Sequence, residues 1–198
     1  MVATISGISS SSQAASYYEA DDYYSEGGLA PSAWLGKGAE ALDLEGPVDR
    51  DQFKALLDGV LPSGQVLGTV RNGEREHRPG WDLTFSAPKS VSVMALVAGD
   101  KRLLSAHDQA AATALAFAER NGAATRIREG GQVEQVRTGS LIAATFRHET
   151  SRAQDPQLHT HNVILNATKD AKGVWPRMGA ASRSGINAGA SSCCQPSP

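Results

Sequence analysis

Residues 141–168 read LIAATFRHETSRAQDPQLHTHNVILNAT, and the fold follows from how this stretch divides. Apolar and polar residues alternate with period two over Leu141–Glu149 and again over Leu158–Thr168, the mark of two β-strands. Ten residues separate His148 from His159, and Ser151, Gln154, Asp155 and Pro156 among them suit a hairpin loop. The two strands are therefore expected to be antiparallel neighbours. Residues i and i+2 of a strand share a face, so His159 and His161 present two imidazoles on one side, about 6.6 Å apart along the chain. Across the hairpin, His148 reaches the same point. A lone His-x-His pair is commonplace. A third histidine from the adjacent strand, in runs otherwise built from Ala143, Val163, Ile164 and Leu165, makes the pattern specific. Three converging imidazoles suit a divalent cation and leave coordination positions open to a substrate.

Toward the N-terminus, Gln132–Thr138 and Arg126–Glu129 also read as strands, with turns at Gly130-Gly131 and Gly139. The Ala-rich segment Leu103–Arg120 reads as a long helix that stops at Asn121-Gly122. Gly99-Asp100 separates it from a shorter helix opened by Pro88, with Val93, Leu96 and Val97 on one face. Residues 66–71 and 81–86 are expected to be strands, with Asn72-Gly73 as the turn between them. Residues 49–58 have helical spacing at Phe53, Leu56 and Leu57, and a serine cluster at 9–12 can cap a short helix ending in Tyr17 and Tyr18. A helix-rich first half and a strand-rich second half predict an α+β fold: a two-layer sandwich with a central, largely antiparallel sheet and flanking helices. This domain is expected to span residues 1–176. In the remaining segment, 177–198, Ala, Gly, Ser and Pro make up 14 of 22 residues, and Met178 and Ile186 are its only large apolar side chains. It is predicted to be a disordered tail.

At 198 residues, 40% hydrophobic and 20% charged, the chain can bury the core of one ordinary domain, which excludes collagen-like and fully disordered classes. No apolar run approaches the ~20 residues of a membrane span, and MVATISGISS lacks the features of a signal peptide. No membrane insertion is expected. The two cysteines, Cys193 and Cys194, are adjacent and cannot staple a fold, which fits a reducing cytoplasm. Charge is unevenly placed: residues 1–70 carry 3 Lys/Arg against 10 Asp/Glu, and residues 71–198 carry 16 against 11. The basic part, with Arg71, Arg75, Arg78, Arg126, Arg128 and Arg137, leaves room for a nucleic-acid partner despite a net charge of −2.

The four tyrosines fall in two pairs, Tyr17-Tyr18 and Tyr23-Tyr24, amid Ser, Glu and Asp, which is not the setting of core aromatics. A phenolic oxygen is a nucleophile suited to phosphoryl transfer. At a free pKa of about 10 it is a weak one, which a metal polarising the target phosphate would offset. Asp82 stands on an alternating strand in GWDLTFSAPKS. There it either orients one of the histidines or accepts the tyrosine proton, while on an exposed edge it would simply face water. The following Ser86–Ser90 leads into a helix N-terminus, where backbone N–H groups and Lys89 suit a phosphate as well as an ordinary cap.

Tyr17-Tyr18, Asp21-Asp22-Tyr23-Tyr24, the run Trp34-Leu35-Gly36-Lys37-Gly38-Ala39-Glu40, then Asp82 to Ser90, His148 and His159-Thr160-His161-Asn162 occur in one order. In that order the chain resembles the relaxase domain of the TrwC/TraI (MobF-type) conjugative relaxases, members of the HUH endonucleases. The resemblance implies a metal-dependent enzyme that nicks single-stranded DNA at a plasmid origin of transfer and stores the bond as a 5′-phosphotyrosyl intermediate, rejoined by reverse transesterification. It implies Tyr17 as first nucleophile and Tyr23 as second, with Tyr18 and Tyr24 assisting or holding DNA. It also implies His148, His159 and His161 as ligands of a divalent metal, Mg²⁺ or Mn²⁺, with Asp82 beside them. Relaxosome accessory proteins and a type IV coupling protein would be further partners, in the bacterial cytoplasm. Family domains continue past the His-x-His strand with helices that close over the DNA, usually followed by a helicase, whereas this chain runs into a small-residue segment. Two expectations follow: an active strand transferase, or a truncated, catalytically idle single-stranded-DNA-binding remnant. A three-histidine metalloenzyme acting on a small molecule is the reading that sets the resemblance aside, and such chemistry has no use for paired N-terminal phenols.

Overall fold

The structure, a computed structural model, describes residues 1–12, 14 and 31–193. In chain order the elements are β1 (Val2–Ile8), β2 (Ser32–Leu35), α1 (Lys37–Glu40), α2 (Arg50–Leu57), β3 (Thr69–Arg71), β4 (Glu74–Glu76) and β5 (Gly80–Ser86). There follow α3 (Lys89–Leu96), α4 (Lys101–Gly122), β6 (Ala124–Glu129), β7 (Gln132–Arg137), β8 (Ala143–Thr150), β9 (Pro156–Leu165) and α5 (Ala180–Cys193). Five strands form the central sheet in the order β1-β5-β9-β8-β2, with every pairing antiparallel. The expected α+β architecture, an antiparallel sheet with flanking helices, is the one observed.

Alternation explains why both faces of the sheet are covered. On β5, Trp81, Leu83 and Phe85 pack with Ala111, Ala114, Leu115 and Ala118 of α4, so the long Ala-rich helix lies close against that face. On the opposite face, Ile142, Ala144 and Phe146 of the β8 segment and Val163 and Leu165 of β9 pack with Phe53, Leu56 and Leu57 of α2. The Phe53 ring lies 5.4 Å from Phe146 and 6.2 Å from Trp34, centroid to centroid. The start of α2 is held by the Asp49 side chain, which accepts from the Gln52 N–H at 2.9 Å. This apolar layer leaves the β8–β9 hairpin end of its face to polar side chains.

Two local expectations are corrected. The Asn72-Gly73 turn does not lead into the 81–86 strand; it closes a separate hairpin between β3 and β4. Both turn residues have positive φ, 52° and 82°, as the tightest hairpin turns require. The Glu-Arg-Glu of β4 carries no apolar alternation, so nothing in its pattern announces a strand. The sheet's edge strands β1 and β2 are likewise weakly patterned, being rich in small residues or short.

The second correction is the tail. Residues 180–193 form α5, which packs on α4 and β1, with Ile186 and Ala190 fully buried; residues 194–198 lie outside the described residues. Counting large apolar side chains misses how this helix is held. A Cβ on Gly122 would lie 2.4 Å from the Ile186 backbone nitrogen, and one on Gly189 would lie 3.2 Å from the Ala118 Cα. Small residues let two helix backbones approach, so packing area comes from the main chain itself. Ser182 Oγ fixes the helix entry by donating to the Ala124 carbonyl at 2.7 Å. Ile186→Ala should therefore lower unfolding free energy by about 2–5 kcal/mol in chemical denaturation. An unchanged midpoint would show that α5 contributes nothing to the core.

Candidate metal centre

The register of the sheet assembles the centre. Pairing of β8 with β9 sets His148 directly across from His159, and pairing of β5 with β9 sets Thr84 across from His161 and Ser86 across from His159. A register irregularity lies just past His148, between it and Thr150, where the hairpin bends toward its loop. The three imidazoles share one face, with ring centroids 5.2, 5.0 and 5.0 Å apart. One candidate ligand atom from each lies within 4.8 Å of the others, a spacing compatible with one shared cation. His148 and His161 are buried and His159 is half-buried, so the site opens on the His159 side.

Hydrogen bonds orient two of the rings. His161 Nδ1–H donates to Asp82 Oδ2 at 2.7 Å, and His159 Nδ1–H donates to the Gln157 carbonyl at 2.9 Å. Both bonds leave Nε2 as the nitrogen available to a cation, the arrangement metal-binding histidines use. Thr84 Oγ1 donates to Asp82 Oδ1 at 3.2 Å and lies 3.1 Å from His161 Nδ1. Burial, with His161 and His159 close by, pushes the His148 pKa down to about 3, against a smaller opposing pull from Asp82. A ring kept neutral keeps its lone pair for a ligand. The donor set, three imidazoles with carboxylate and carbonyl supports, therefore fits a divalent transition metal.

Of the residues singled out in the sequence, the structure brings His148, His159 and His161 to one point and sets Asp82 beside His161. Lys89 stands in the first turn of α3, but its Nζ donates to the Pro156 carbonyl at 3.0 Å, which ties the helix to the start of β9. Ser92, one turn on, accepts from the Leu158 N–H at 3.0 Å. Tyr17, Tyr18, Tyr23 and Tyr24 lie outside the described residues.

A second feature escaped the sequence pattern. A cleft of about 660 Å³ is lined by Arg75, His77, Arg78, Arg126 and Arg177 against a single acidic side chain, Glu76, with Trp81 and Met178 also in its wall; it does not include the histidine cluster. A shallower cleft of about 300 Å³ beside it is lined by Arg126, Arg128 and Arg177. Because the two share Arg126 and Arg177, they form one basic strip from the β6–β7 hairpin toward β4. Arg75 is anchored there, donating to the Leu67 and Asp58 carbonyls at 2.9 and 3.1 Å. Burial, and then Arg75, push the His77 pKa down. Each arginine is visible in the sequence, but their convergence is tertiary, and Arg177 fell in the segment expected to be disordered. Arg147 lies apart from this strip, in a separate pocket where it pairs with Asp108 at 2.6 Å. Among the described residues, no helix is long and apolar enough to cross a membrane.

Comparison with known proteins gives concordant matches. A family model described as TrwC relaxase matches residues 11–188. The multifunctional conjugation protein TraI of Escherichia coli is 50% identical over 173 residues, which is 87% of this chain and 10% of that protein. Its counterpart in strain K12 is 49% identical over the same length and shares. Among solved structures, a copper-bound conjugative relaxase TrwC in complex with oriT DNA aligns over 97% of this chain and 66% of its own, at 44% identity and a TM-score of 0.83. A metal-bound TrwC–oriT complex aligns over 98% of this chain and 70% of its own, at 43% identity and a TM-score of 0.79. The chain thus spans about a tenth of the curated relatives and about two thirds of the solved ones.

Proposed function

The chain belongs to the TrwC relaxase family, and from that premise we propose that it nicks single-stranded DNA at a plasmid origin of transfer, site- and strand-specifically, through a tyrosine nucleophile. The observation that carries this reading is the three-histidine face with Asp82 bonded to His161, in a chain that aligns with metal-bound relaxases on oriT DNA. Tyr17 attacks the scissile phosphorus, the 3′ oxygen leaves with the bonding pair and is protonated, and a 5′-phosphotyrosyl bond remains. Reversal by a 3′-hydroxyl reseals the strand without an external energy source. Tyr23 serves a second transfer while Tyr17 is occupied, and Tyr18 and Tyr24 assist or hold DNA.

His148, His159 and His161 hold the cation. When bound, it polarises the phosphate and makes it electrophilic enough for a phenol. Three nitrogen donors suit Mn²⁺ better than Mg²⁺, which prefers oxygen. Asp82 has both carboxylate oxygens engaged, which supports an orienting role and leaves solvent to take the phenol proton. Lys89 steadies the β9 end of the site near the DNA. The enzyme works in the bacterial cytoplasm, with relaxosome accessory proteins and a type IV coupling protein as further partners.

The arginine strip supports a track for DNA phosphates. Arg126→Gln combined with Arg177→Gln should lower the slope of log affinity against log salt by about 1.4 for single-stranded DNA, two contacts at ~0.7 each. An unchanged slope would remove these residues from the track. The function itself is tested by incubating the protein with a labelled origin-derived oligonucleotide and Mn²⁺ or Mg²⁺, then running denaturing electrophoresis. A shifted covalent band is expected. Retarded but uncleaved DNA would leave a binding module in place of a nickase.

A further inference from the structure

We propose that Thr84 is a positioning residue for the metal centre: its hydroxyl locks the Asp82–His161 pair so that His161 presents Nε2 to the cation. The proposal rests on the histidine site being a metal site, as read above. His159 and His161 are supported in different ways. The His159 acceptor is the Gln157 carbonyl, a main-chain group two residues away on the same strand, so the strand itself fixes it. The His161 acceptor is a side chain, Asp82, with two rotatable torsions. Asp82 sits across from Val163, one pleat away from His161, so it must reach diagonally to Nδ1. A carboxylate making a diagonal reach needs something to stop it rotating away.

Thr84 is placed to do this. It is the residue directly across from His161, on the same face of β5 as Asp82. Its Oγ1 donates to Asp82 Oδ1 at 3.2 Å while Oδ2 takes the His161 proton at 2.7 Å, so both carboxylate oxygens are engaged. The same Oγ1 lies 3.1 Å from His161 Nδ1, close enough to share that N–H and hold the ring from a second direction. Threonine is β-branched and stiff at χ1, which keeps the hydroxyl in one place. A valine has the same shape and strand preference but can neither donate nor accept. A serine retains the hydroxyl on a freer rotor.

The test is calorimetric titration of Mn²⁺ into metal-stripped wild type, Thr84→Val and Thr84→Ser, with long-range ¹H–¹⁵N NMR of the histidine rings before metal is added. Thr84→Val should bind Mn²⁺ about tenfold or more weakly, and Thr84→Ser should stay within about threefold of wild type. A residue that served only the fold would move the thermal midpoint and be rescued equally by any β-branched side chain. In the metal-free wild type the His161 proton should sit on Nδ1, and in Thr84→Val the ring should show both tautomers. Unweakened Mn²⁺ binding by Thr84→Val, or a wild-type tautomer pattern in that variant, overturns the proposal. If wild type binds no Mn²⁺, the metal reading fails, while the tautomer pattern still decides whether Thr84 holds Asp82 and His161 in place.

Discussion

Tyr17→Phe should yield no covalent protein–DNA product under conditions in which the wild-type chain gives a shifted band, a loss of roughly a thousandfold or more. The substitution keeps the ring and removes only the hydroxyl, so packing changes little and the effect reads the nucleophile. The size follows from the chemistry: without Oη there is no bond to store, whatever the cation does to the phosphate. Tyr23→Phe should leave the first cleavage near wild type and impair a second transfer. The measurement is denaturing electrophoresis with a 5′-distal label, followed by peptide mapping of the adduct. An adduct at wild-type yield in Tyr17→Phe, mapped to Tyr23 or Tyr24, would reverse the assigned roles. The two pairs differ in position along the chain, so mapping separates them cleanly.

The second large effect concerns the centre itself. His161→Ala removes a buried imidazole proposed as a ligand, the ring that engages Asp82, and should weaken Mn²⁺ binding by more than the 10–100-fold that loss of an outer hydrogen-bond partner costs. Asp82→Asn keeps the size of the side chain and the ligand, so it belongs within that 10–100-fold range. The ranking of the two is the informative result. If Asp82→Asn weakens binding as much as His161→Ala, the carboxylate is acting on the cation directly. If neither changes the calorimetric titration, the three imidazoles are a packed polar cluster and the cation binds elsewhere. Cleavage of the oligonucleotide should fall in the same order, because the polarised phosphate depends on the loaded site.

The centre was legible in the sequence because its geometry is local. His159 and His161 are fixed relative to each other by the two-residue period of one strand, and His148 by a hairpin whose loop is short. The carboxylate partner was legible only by motif, since nothing local connects Asp82 with His161 across 79 positions of chain. The sheet register makes that connection, and it brings in Thr84, whose own sequence context is that of an ordinary strand threonine. The arginine strip gave even less warning. Arg75, Arg126 and Arg177 come from three separate segments, and charge counting along the chain cannot say that they face one cleft.

Alternation and helical spacing, properties of neighbouring residues, determined by themselves the α+β class, the hairpin and the three-histidine face. Tertiary structure decided the rest. It paired β5 between β1 and β9, gave Asn72-Gly73 a hairpin of its own, and turned a segment of small residues into α5. The physical reason is the same in each case. Periodicity reports which side of an element is apolar, but not what meets that side. A helix of small residues such as α5 is held by the close approach of its Gly185 and Gly189, and of Gly122 on α4, to the facing backbone, a stabilisation that exists only once the partner is in place.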